Sequence, residues 1–528
     1  MTRILVADPL AEDGIARLRE VGEVVVQTKQ TESDLVGLIG DFDALVVRSE
    51  TRVTAPVIDA GRRLRVVGRA GVGIDNIDVA AATRRGVLVV NAPRGNIIAA
   101  AEHSVALLLA VARNVAQADA SVRRGEWTRA RFTGVEIRGK TLGLLGLGNI
   151  GSEVAKRAQG LEMEVIAFDP AVPQERAEQF NVQLVSLEEL LARADFVSVH
   201  APLVDATRNL INADRLAMMK PSARLINAAR GGIVDEAALF EALSSGRLGG
   251  AAFDVFLEEP VGDSRLLSLP NFIATPHIAA STVEAQASVA FDVAEEVAAV
   301  LAGEVPRYAI NAPALPPEEM AFLRPFALLA ERLASLYVQL EGGRVASVDL
   351  VYAGDVAGHD VSLLTAAVVK GLLQPFTEDR INSVNFRLVA SGRGIKLTET
   401  RSPAAGAHAS LITVHTGGFE AAGTVVMGEP RVTRIGGMAL DFTPEGRHLF
   451  SHHSDRPGVV RDVSTILARH DVNIASMQVG REAPRGRAMM ILTVDDPVAV
   501  EVLTELRSVP NLADLHYVEL GTPEPAGG

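Results

Sequence analysis

The sequence predicts a multidomain α/β protein, and three observations support this prediction. The chain has 528 residues, which is more than a single hydrophobic core normally organises. From residue 3 to residue 277, short apolar runs rich in β-branched residues alternate with helical patterns, as they do in parallel sheets. Between residues 446 and 522, the order strand, helix, strand, strand, helix, strand is that of a ferredoxin-like unit.

The first half of the chain contains two successive series of candidate strands. The first series consists of RILVAD, EVVV, ALVVRS, RVVGRAG and GVLVV, and a long helical stretch from about Ala99 to Gly125 follows it. The second series consists of TLGLLG, EVIAFD, FVSVH, RLINAA, GGAAFDV and FIATPH, and a helix from about Thr282 to Gly303 ends it. These runs are almost continuously apolar, which predicts strands that are buried on both faces of a parallel sheet.

The second half begins after a proline-rich break, INAPALPPEE at residues 310–319, which predicts a linker. Beyond it, runs such as ASVDLVY and SLITVHT predict an α+β domain over residues 315–442, without a cluster of candidate catalytic residues. The ferredoxin-like unit over residues 446–522 comprises HLFSHH, a helix from Pro457, IASMQVG, RAMMILTV, a helix from Pro497 and DLHYVEL. We expect the tail GTPEPAGG to have no fixed structure.

Composition excludes several classes of function. The formal net charge of −14 argues against nucleic acid as a partner, since phosphate backbones need a basic face. The absence of cysteine excludes disulfides and cysteine–zinc sites. The adjacent His452 and His453 would point to opposite faces of a strand, so we expect no metal. The N-terminus does not resemble a signal peptide, and the apolar run at residues 105–112 is too short to span a bilayer. We therefore expect a cytoplasmic protein without membrane association.

The hexapeptide GLGNIG, from Gly146 to Gly151, is a candidate dinucleotide-binding loop. It follows the strand TLGLLG and opens a helix, so its glycines would let backbone N–H groups approach a pyrophosphate at the helix N-terminus. Asp169 ends the next strand, eighteen residues after Gly151, where a carboxylate accepts hydrogen bonds from ribose hydroxyls. Pro170 and Ala171 follow it, with no arginine for a 2′-phosphate. The sequence therefore predicts NAD, rather than NADP, as cofactor, and with it hydride transfer.

Hydride transfer to or from a hydroxy acid needs a proton-transfer residue, and His277 is the candidate. It lies in the apolar stretch IATPHIAAST, where a core histidine with a satisfied hydrogen bond is the alternative interpretation. Arg230 and Glu259 follow two other strands of the same series. Because ligands bind beyond the carboxyl ends of parallel strands, the three side chains are expected to converge. Glu259 would orient the imidazole and stabilise its charged form, and Arg230 would bind the substrate and polarise its carbonyl group.

Four segments, GLGNIG with Asp169, NAARGGIVDEAAL, FDVFLEEP and TPHIAAST, resemble the D-isomer-specific 2-hydroxyacid dehydrogenases over residues 1–310. The resemblance implies that a Rossmann-type NAD domain, residues 98–281, is inserted in a flavodoxin-like substrate domain formed by residues 1–97 and 282–310. It also implies substrate-binding, orienting and acid/base roles for the arginine, glutamate and histidine named above. The cofactor contacts that it implies are Gly146, Gly148, Asn149, Ile150, Gly151, Asp169, Thr207, Ala228 and Asp254.

The family includes enzymes for several 2-hydroxy acids, so these residues do not identify the substrate. Arg48 and Arg69 each end an N-terminal strand and could hold a phosphate group opposite the catalytic residues. The backbone around Val72 and Gly73 could offer N–H groups to a substrate carboxylate. Arginines at loop ends are often simply solvated, and at this stage that alternative stays open.

The C-terminal segment HHSDRPGVVRDVSTILARHDVNIASMQVGR resembles an ACT domain, a regulatory module that binds small metabolites. The order of catalytic core, intervening domain and ACT domain resembles the long form of the D-3-phosphoglycerate dehydrogenases. This resemblance implies oxidation of 3-phosphoglycerate to 3-phosphohydroxypyruvate, the entry to serine biosynthesis, with L-serine as feedback effector. It makes the intervening domain a candidate allosteric substrate-binding domain. It places the effector at Asp455, Gly458 and, from the adjoining subunit, Asn473.

Family resemblance also implies a homotetramer. The segment GEWTRARFTG, residues 125–134, corresponds to a region at a subunit interface, where Arg129 or Arg131 could reach the neighbour's active site. Two alternative functions remain: a dehydrogenase for another D-2-hydroxy acid, such as glycerate or 2-hydroxyglutarate, and an NAD(H) sensor that has lost catalysis. Substitution of the two N-terminal arginines tests the first alternative, and the intact acid/base residues argue against the second.

Overall fold

A computed structural model of the protein covers residues 1–313, 315–343, 345–377 and 380–521. The described residues form four sheets in succession along the sequence, each flanked by helices. The tail that was expected to have no fixed structure lies, from residue 522 on, outside the described residues.

The N-terminal residues fold into a parallel sheet. Its elements are β1 (Arg3–Val6), α1 (Glu12–Arg19), β2 (Glu23–Val26), α2 (Glu32–Leu38), β3 (Ala44–Val47), α3 (Ala55–Ala60), β4 (Val66–Arg69), α4 (Val79–Arg84) and β5 (Leu88–Asn91). Within residues 1–313, all of them described, this sheet has five strands in the order β2-β1-β3-β4-β5. That order is flavodoxin-like, and the predicted fold of this unit is confirmed.

A second parallel sheet follows. Its elements are α5 (Ile97–Arg113), α6 (Val115–Arg123), β6 (Thr141–Leu145), α7 (Asn149–Gly160), β7 (Glu164–Phe168), α8 (Gln174–Gln179), β8 (Gln183–Leu184), α9 (Leu187–Arg193), β9 (Phe196–Val199), α10 (Ala213–Met218), β10 (Arg224–Asn227), α11 (Glu236–Ser244), β11 (Gly250–Phe253), β12 (Phe272–Ala274) and α12 (Val283–Leu301). In this continuously described stretch the sheet has seven strands, ordered β12-β11-β10-β9-β6-β7-β8. The order changes direction between β6 and β9, as in a Rossmann-type unit, and creates a crevice beyond their carboxyl ends.

The long helix expected from Ala99 to Gly125 is divided into α5 and α6, so that expectation is wrong in one respect. Asn114 separates the two helices with φ of +52°, a left-handed conformation that asparagine tolerates better than most residues. Within the described residues, no single helix has the length and apolar character to cross a membrane, and α5 with α6 satisfies that test only as a pair bent by 64°. The same residues contain no group of three or more histidine, aspartate or glutamate side chains that could hold a metal ion.

Helix α12 returns the polypeptide from the second sheet to the first. It packs on α1, where Gly14 allows close contact with Ala290, and on β4, where Gly68 makes room for Val297. The residues after it then continue the first sheet, because the Ile310 N–H donates to the Val89 carbonyl oxygen at 2.8 Å. The unit built on the second sheet is therefore inserted in the unit built on the first. The start of the expected linker at residues 310–319 is bound to β5, not free.

The second half contains a mixed sheet followed by an antiparallel one. Their elements are α13 (Pro317–Glu341), β13 (Ser347–Gly354), α14 (Ser362–Leu373), α15 (Phe386–Gly392), β14 (Lys396–Ser402), β15 (Ser410–Thr416), β16 (Phe419–Val426), β17 (Glu429–Ile435), β18 (Met438–Phe442), β19 (Gly446–Ser454), α16 (Val459–Arg469), β20 (Ile474–Arg481), β21 (Arg487–Val494), α17 (Val500–Arg507) and β22 (Leu512–Leu520). Among the described residues the sheets are ordered β14-β13-β15-β16-β17-β18 and β20-β21-β19-β22. The second order is ferredoxin-like, which confirms the predicted fold class.

The two C-terminal units share one hydrophobic core, a feature that the sequence analysis did not anticipate. Leu329 of α13 belongs to the same buried cluster as Phe450, Ile491 and Leu520 of the antiparallel sheet. The Gln339 side chain of α13 also exchanges two hydrogen bonds of 3.0 Å with the backbone of Glu519 at the edge strand β22. Helix α13 therefore joins the two sheets, and they are expected to move as one body.

Candidate active site

Three candidate side chains lie at one edge of the second sheet. Arg230 follows β10, Glu259 lies in the loop after β11, and His277 follows β12. These strands are parallel neighbours, so their carboxyl ends meet at the same edge. In the first sheet, Arg48 follows β3 and Arg69 ends β4. The structure thus places all five residues at the carboxyl ends of parallel strands.

His277 and Glu259 form a hydrogen-bonded pair. Nδ1 of His277 lies 2.7 Å from Oε2 of Glu259, and Oε1 of Glu259 accepts from the Phe256 N–H at 3.0 Å. Burial alone would raise the pKa of Glu259, but the hydrogen bonds from His277 and Phe256 outweigh it and lower that pKa. Glu259 therefore holds a proton donor at Nδ1, which leaves Nε2 of His277 to exchange a proton with a ligand. The side chains are 41% and 37% exposed, which argues against a core histidine.

A buried carboxylate, Asp254, holds the segment that carries His277. His277 has φ of +54°, and this left-handed conformation costs a non-glycine residue about 1–2 kcal/mol. The Asp254 carboxylate accepts hydrogen bonds from Thr275 Oγ1 and from the N–H groups of Ile278 and Ala279. The backbone carbonyl oxygen of Asp254 accepts from the His277 N–H at 2.9 Å. The carboxylate is fully buried and bound to its own loop, so its expected contact with the cofactor stays a prediction.

His103 of α5 supports the same carboxylate. Its Nε2 lies 3.3 Å from Asp254 Oδ1 and 3.1 Å from Thr275 Oγ1. Burial would raise the pKa of Asp254, but hydrogen bonds from His103, from Thr275 and from the loop N–H groups lower it. Asp254 is therefore ionised at neutral pH, and His103 connects α5 to the loop of His277, the candidate acid/base residue.

Arg230 reaches from the second sheet to the loop after β4 in the first. Its Nε donates to Oδ2 of Asp75 at 3.0 Å, and its Nη1 donates to the Ala229 carbonyl oxygen at 2.7 Å. Its Nη2 lies against Gly73, where an added Cβ would stand 1.9 Å away. Gly73 therefore makes room for the guanidinium group, and the two units meet at this contact.

Arg48, Arg69 and Arg230 form a cluster of positive charge. The pKa of Arg69 is lowered to about 10, mainly by burial and also by the charges of Arg230 and Arg48, while the charges of Asp75 and Asp8 act in the opposite direction. Among the described residues, the buried Nε of Arg69 has no hydrogen-bond partner. A buried donor without a partner is costly, so this cluster fits a bound anion that would supply the missing acceptor.

Two polar side chains hold the loop of Arg48. The buried carboxylate of Asp8 accepts from the Arg48 N–H at 2.5 Å and from Thr51 Oγ1 at 2.6 Å. Nδ2 of Asn76 donates to the carbonyl oxygens of Arg48 and Thr51 at 2.7 and 2.6 Å. Asn76 lies in the loop after β4, so the loops of the first sheet that carry the candidate substrate residues are bound to each other.

The loop between β6 and α7 fits a dinucleotide. Gly146 has φ of +103°, and a Cβ on Gly151 would stand 2.2 Å from the Gly146 carbonyl oxygen, so both positions require glycine. At Gly148, by contrast, an added Cβ would meet no described atom within 4 Å. This open space lies at the N-terminus of α7, where the N–H groups of Asn149 and Ile150 are suited to a pyrophosphate.

The remaining candidate cofactor residues lie at the same edge of the sheet. Asp169 follows β7 and its oxygens accept from the N–H groups of Leu147 and Ala171 at 2.8 and 2.9 Å. Thr207 lies in the loop after β9, where its hydroxyl is bound to carbonyl oxygens of that loop. Ala228 follows β10. Apart from Asp254, the predicted cofactor residues therefore border one crevice.

The candidate effector residues are not brought together within one chain. Asp455 follows β19 and Asn473 precedes β20, while both strands pair antiparallel with β21. The strands therefore run in the same direction, and the two residues lie at opposite ends of the sheet. Asp455 accepts from the Arg485 N–H at 2.9 Å, and Asn473 donates to Asp495 at 2.5 Å. Gly458, with φ of +104°, immediately precedes α16. A site that uses Asp455 and Asn473 needs a second chain.

The candidate interface segment is exposed. Arg129 and Arg131 lie on the turn Arg129–Phe132 and are exposed. The nearby Trp127 side chain is 74% exposed, an unusual setting for a tryptophan in a monomer. Contact of either arginine with a neighbour's active site stays a prediction.

Four residues of this centre were not identified from the sequence: Asp8, Asp75, Asn76 and His103. Asp8 had a positional signal, because it follows the first strand at the same edge as the arginines. Asp75 and Asn76 belong to the segment VGRAGVGIDNID, in which only Arg69, Val72 and Gly73 were predicted to bind substrate. His103 is a polar residue on an apolar helix and gave no specific signal.

Comparison with known proteins agrees with this centre. Residues 105–279 match the D-isomer specific 2-hydroxyacid dehydrogenase NAD binding domain, residues 322–436 the D-3-phosphoglycerate dehydrogenase intervening domain, and residues 449–511 the ACT domain. The chain is 45% identical over 524 residues to D-3-phosphoglycerate dehydrogenase of Methanocaldococcus jannaschii, covering 98% of this chain and 100% of the relative. It is 41% identical over 526 residues to that of Bacillus subtilis, with 98% and 100% coverage.

Solved structures resemble part of the chain. The TT0316 protein from Thermus thermophilus matches with a TM-score of 0.55 and 38% identity, covering 58% of this chain and 100% of that one. D-lactate dehydrogenase from Aquifex aeolicus, complexed with NAD and lactic acid, matches with a TM-score of 0.54 and 26% identity, covering 59% and 100%. The cofactor of this chain is NAD, as the matched domain and the glycine-rich loop indicate. The chain therefore belongs to the D-3-phosphoglycerate dehydrogenases, in the D-isomer specific 2-hydroxyacid dehydrogenase family.

Proposed function

We propose that the chain catalyses the NAD-dependent oxidation of 3-phospho-D-glycerate to 3-phosphohydroxypyruvate, the first step of L-serine biosynthesis. One observation carries the catalytic assignment: the Nδ1 of His277 is bound to Glu259 at 2.7 Å, at the same sheet edge as Arg230. The full-length similarity to D-3-phosphoglycerate dehydrogenases supports the substrate. The cluster of Arg48 and Arg69 supports a phosphorylated substrate over an unphosphorylated one.

His277 is the proposed acid/base residue. When bound, NAD would supply the hydride acceptor for the oxidation. The substrate hydroxyl gives its proton to Nε2 of His277, and the negative charge of Glu259 stabilises the imidazolium that forms. Arg230 binds the carboxylate and polarises the developing carbonyl group, which favours hydride loss from the same carbon.

Two groups of residues are proposed to bind and orient the ligands. Gly148, Asn149 and Ile150 hold the pyrophosphate of NAD at the N-terminus of α7, and Asp169 accepts from the ribose hydroxyls. Arg48 and Arg69 hold the substrate phosphate, and the latter offers the buried Nε that has no partner among the described residues. The contact of Arg230 with the first unit brings the cofactor-binding and substrate-binding residues to one crevice.

L-Serine is the proposed effector, with a homotetramer as the proposed assembly. The matched ACT domain supports regulation by a small metabolite. Since Asp455 and Asn473 lie at opposite ends of the sheet in one chain, we propose that serine binds between Asp455 and Gly458 of one chain and Asn473 of another. The cytoplasmic location expected from the sequence remains part of this proposal.

A direct assay tests the substrate. The purified protein is mixed with NADH and 3-phosphohydroxypyruvate, hydroxypyruvate or 2-oxoglutarate, and NADH oxidation is followed, with NADPH as a parallel arm. We expect a large preference for the phosphorylated ketone and for NADH. Equal or higher rates with an unphosphorylated acid would contradict the phosphate assignment and leave a dehydrogenase for another 2-hydroxy acid.

A further inference from the structure

We propose that Asp75 is an internal competitor for the substrate: its carboxylate occupies Arg230 until a substrate carboxylate displaces it. This inference rests on the proposed function of Arg230 and goes beyond it. It concerns an interaction between the two halves of the crevice, because Asp75 belongs to the loop after β4 and Arg230 to the loop after β10.

The guanidinium group of Arg230 has neighbours at each of its nitrogens. Nε donates to Oδ2 of Asp75 at 3.0 Å, Nη1 donates to the Ala229 carbonyl oxygen at 2.7 Å, and Nη2 lies against the Gly73 backbone. A substrate carboxylate that binds Arg230 through two parallel hydrogen bonds needs two adjacent donors. The adjacent pair formed by Nε and Nη2 becomes available only when Asp75 gives up its contact with Nε.

Asp75 is the contact that can be displaced. Its side chain is 69% exposed, whereas that of Arg230 is 29% exposed. An exposed ion pair contributes little free energy, so a ligand carboxylate can replace it. The Ala229 carbonyl oxygen, by contrast, is adjacent to Arg230 in the sequence and cannot move away from it freely.

Charge balance supports the same role. Arg48 and Arg230 are close enough to Arg69 for their positive charges to lower its pKa. Among the residues that the structure describes, Asp75 is the one carboxylate that forms an ion pair with an arginine of this cluster. The carboxylate of Asp8 is instead bound to the Arg48 N–H and to Thr51. Asp75 therefore compensates part of the positive charge that the substrate's anionic groups would otherwise neutralise.

The variant Asp75→Asn tests this inference. It is compared with the wild type and with Asp59→Asn, an exposed aspartate of α3 in the same unit. KM and kcat are measured with NADH for both 3-phosphohydroxypyruvate and hydroxypyruvate. We expect the KM of both substrates to fall by about twofold to fivefold in Asp75→Asn, with kcat little changed, because an exposed ion pair of this modest strength no longer competes in the free enzyme. Asp59→Asn should match the wild type.

The direction of the KM change shows whether Asp75 competes with the substrate for Arg230 or orients Arg230 for the substrate. If Asp75 instead oriented Arg230 for the substrate, its removal would raise KM or lower kcat, and either result overturns the inference. A fall in KM for the phosphorylated substrate alone also overturns it, because the carboxylate is common to both substrates. Asp75→Glu keeps the charge and should retain most of the wild-type KM.

A binding measurement keeps this test independent of turnover. Oxamate, a carboxylate that accepts no hydride, is titrated with NADH present while the melting temperature is recorded. We expect Asp75→Asn to reach half of its maximal stabilisation at a lower oxamate concentration than the wild type, and equal or weaker binding contradicts the inference. If wild-type protein fails to reduce 3-phosphohydroxypyruvate, the proposed substrate is wrong, whereas the oxamate result still decides the role of Asp75.

Discussion

The catalytic crevice and the ACT domain each contain candidate ligand-binding residues at strand ends, but they differ in what one chain can assemble. In the crevice, Arg230, Glu259 and His277 follow three neighbouring parallel strands and meet at one edge. In the ACT domain, Asp455 follows β19 and Asn473 precedes β20, two strands that run in the same direction. The end of one strand and the start of a parallel one lie on opposite sides of a sheet.

This difference has a physical consequence for how each site is built. Under the proposed function, the candidate residues of the crevice belong to one chain, in which the contact between Arg230 and Asp75 joins the two units. The effector residues can contribute to one site only if a second chain turns its opposite sheet end toward the first. Regulation is therefore expected to depend on assembly, and the basic chemistry is expected to depend on one chain.

The largest expected effect separates the two regions directly. His277→Ala removes the proton-transfer group, so kcat should fall by about 10²- to 10⁴-fold, whereas Asp455→Ala should leave kcat unchanged and remove inhibition by serine. Steady-state kinetics at saturating NADH measure both. His408→Ala, an exposed histidine of the intervening domain, is the matched control for the first variant. A loss smaller than tenfold in His277→Ala would show that another group transfers the proton.

The next effect sharpens the assignment within the crevice. Arg69→Ala should raise the KM for 3-phosphohydroxypyruvate by about tenfold or more, because a charge-assisted hydrogen bond to the phosphate is lost. The KM for hydroxypyruvate should stay nearly unchanged. Arg48→Ala should behave in the same way. Arg52→Ala, an exposed arginine of the same unit, serves as control. Equal increases for both substrates would mean that these arginines do not bind the phosphate.

The crevice was also the region that the sequence predicted best. The common position of Arg230, Glu259 and His277 could be predicted because a strand end in a parallel sheet fixes the edge at which a residue lies. The same reasoning placed Gly148, whose open surroundings fit the expected approach of a pyrophosphate. Asp75 could not be predicted, because its partner Arg230 is distant in the sequence and their contact depends on how two separate sheets face each other.

Other features escaped prediction because they depend on side-chain packing. His103 supports the loop of His277 only because α5 brings its side chain to Asp254 and Thr275. The break at Asn114 divides a stretch whose apolar pattern continues across it. Similarly, the joint core around α13 requires two sheets to share one helix, which the proline-rich break at residues 310–319 gave no reason to expect.

A mixing experiment tests whether the effector site needs two chains. Asp455→Ala and Asn473→Ala should each lose inhibition by serine, and chains assembled together from an equal mixture should regain part of it. About half of the pairs in a random mixture contain one chain of each kind, and each such pair has one site with an intact Asp455 and an intact Asn473. Inhibition curves at varied mixing ratios measure the recovery. No recovery in verified mixed assemblies would contradict a shared site.

The smallest expected effect concerns a second histidine environment, in the regulatory half. His448 is fully buried and packs edge-on against the rings of Phe442 and Phe450, and its Nε2 finds no partner in the part of the chain that the structure describes. Burial lowers the pKa of His448 to about 4. Because this pKa is below that of the unfolded chain, the unfolded state binds more protons at intermediate pH. The stability contributed by the neutral imidazole is thus complete above about pH 6.5 and is lost as the pH falls toward 4.

This contrast with the exposed, paired His277 can be measured through stability. Between about pH 6.5 and pH 5, His448 should lower the free energy of unfolding by up to about 1.4 kcal/mol per pH unit. His448→Gln should therefore show a shallower fall of melting temperature between pH 7.5 and pH 5 than the wild type, whatever its stability at pH 7.5. His408→Gln should follow the wild-type slope, since an exposed histidine meets no such burial. Parallel slopes for all three proteins would mean that water or motion solvates the His448 ring, and that the shared core around α13 is looser than its packing indicates.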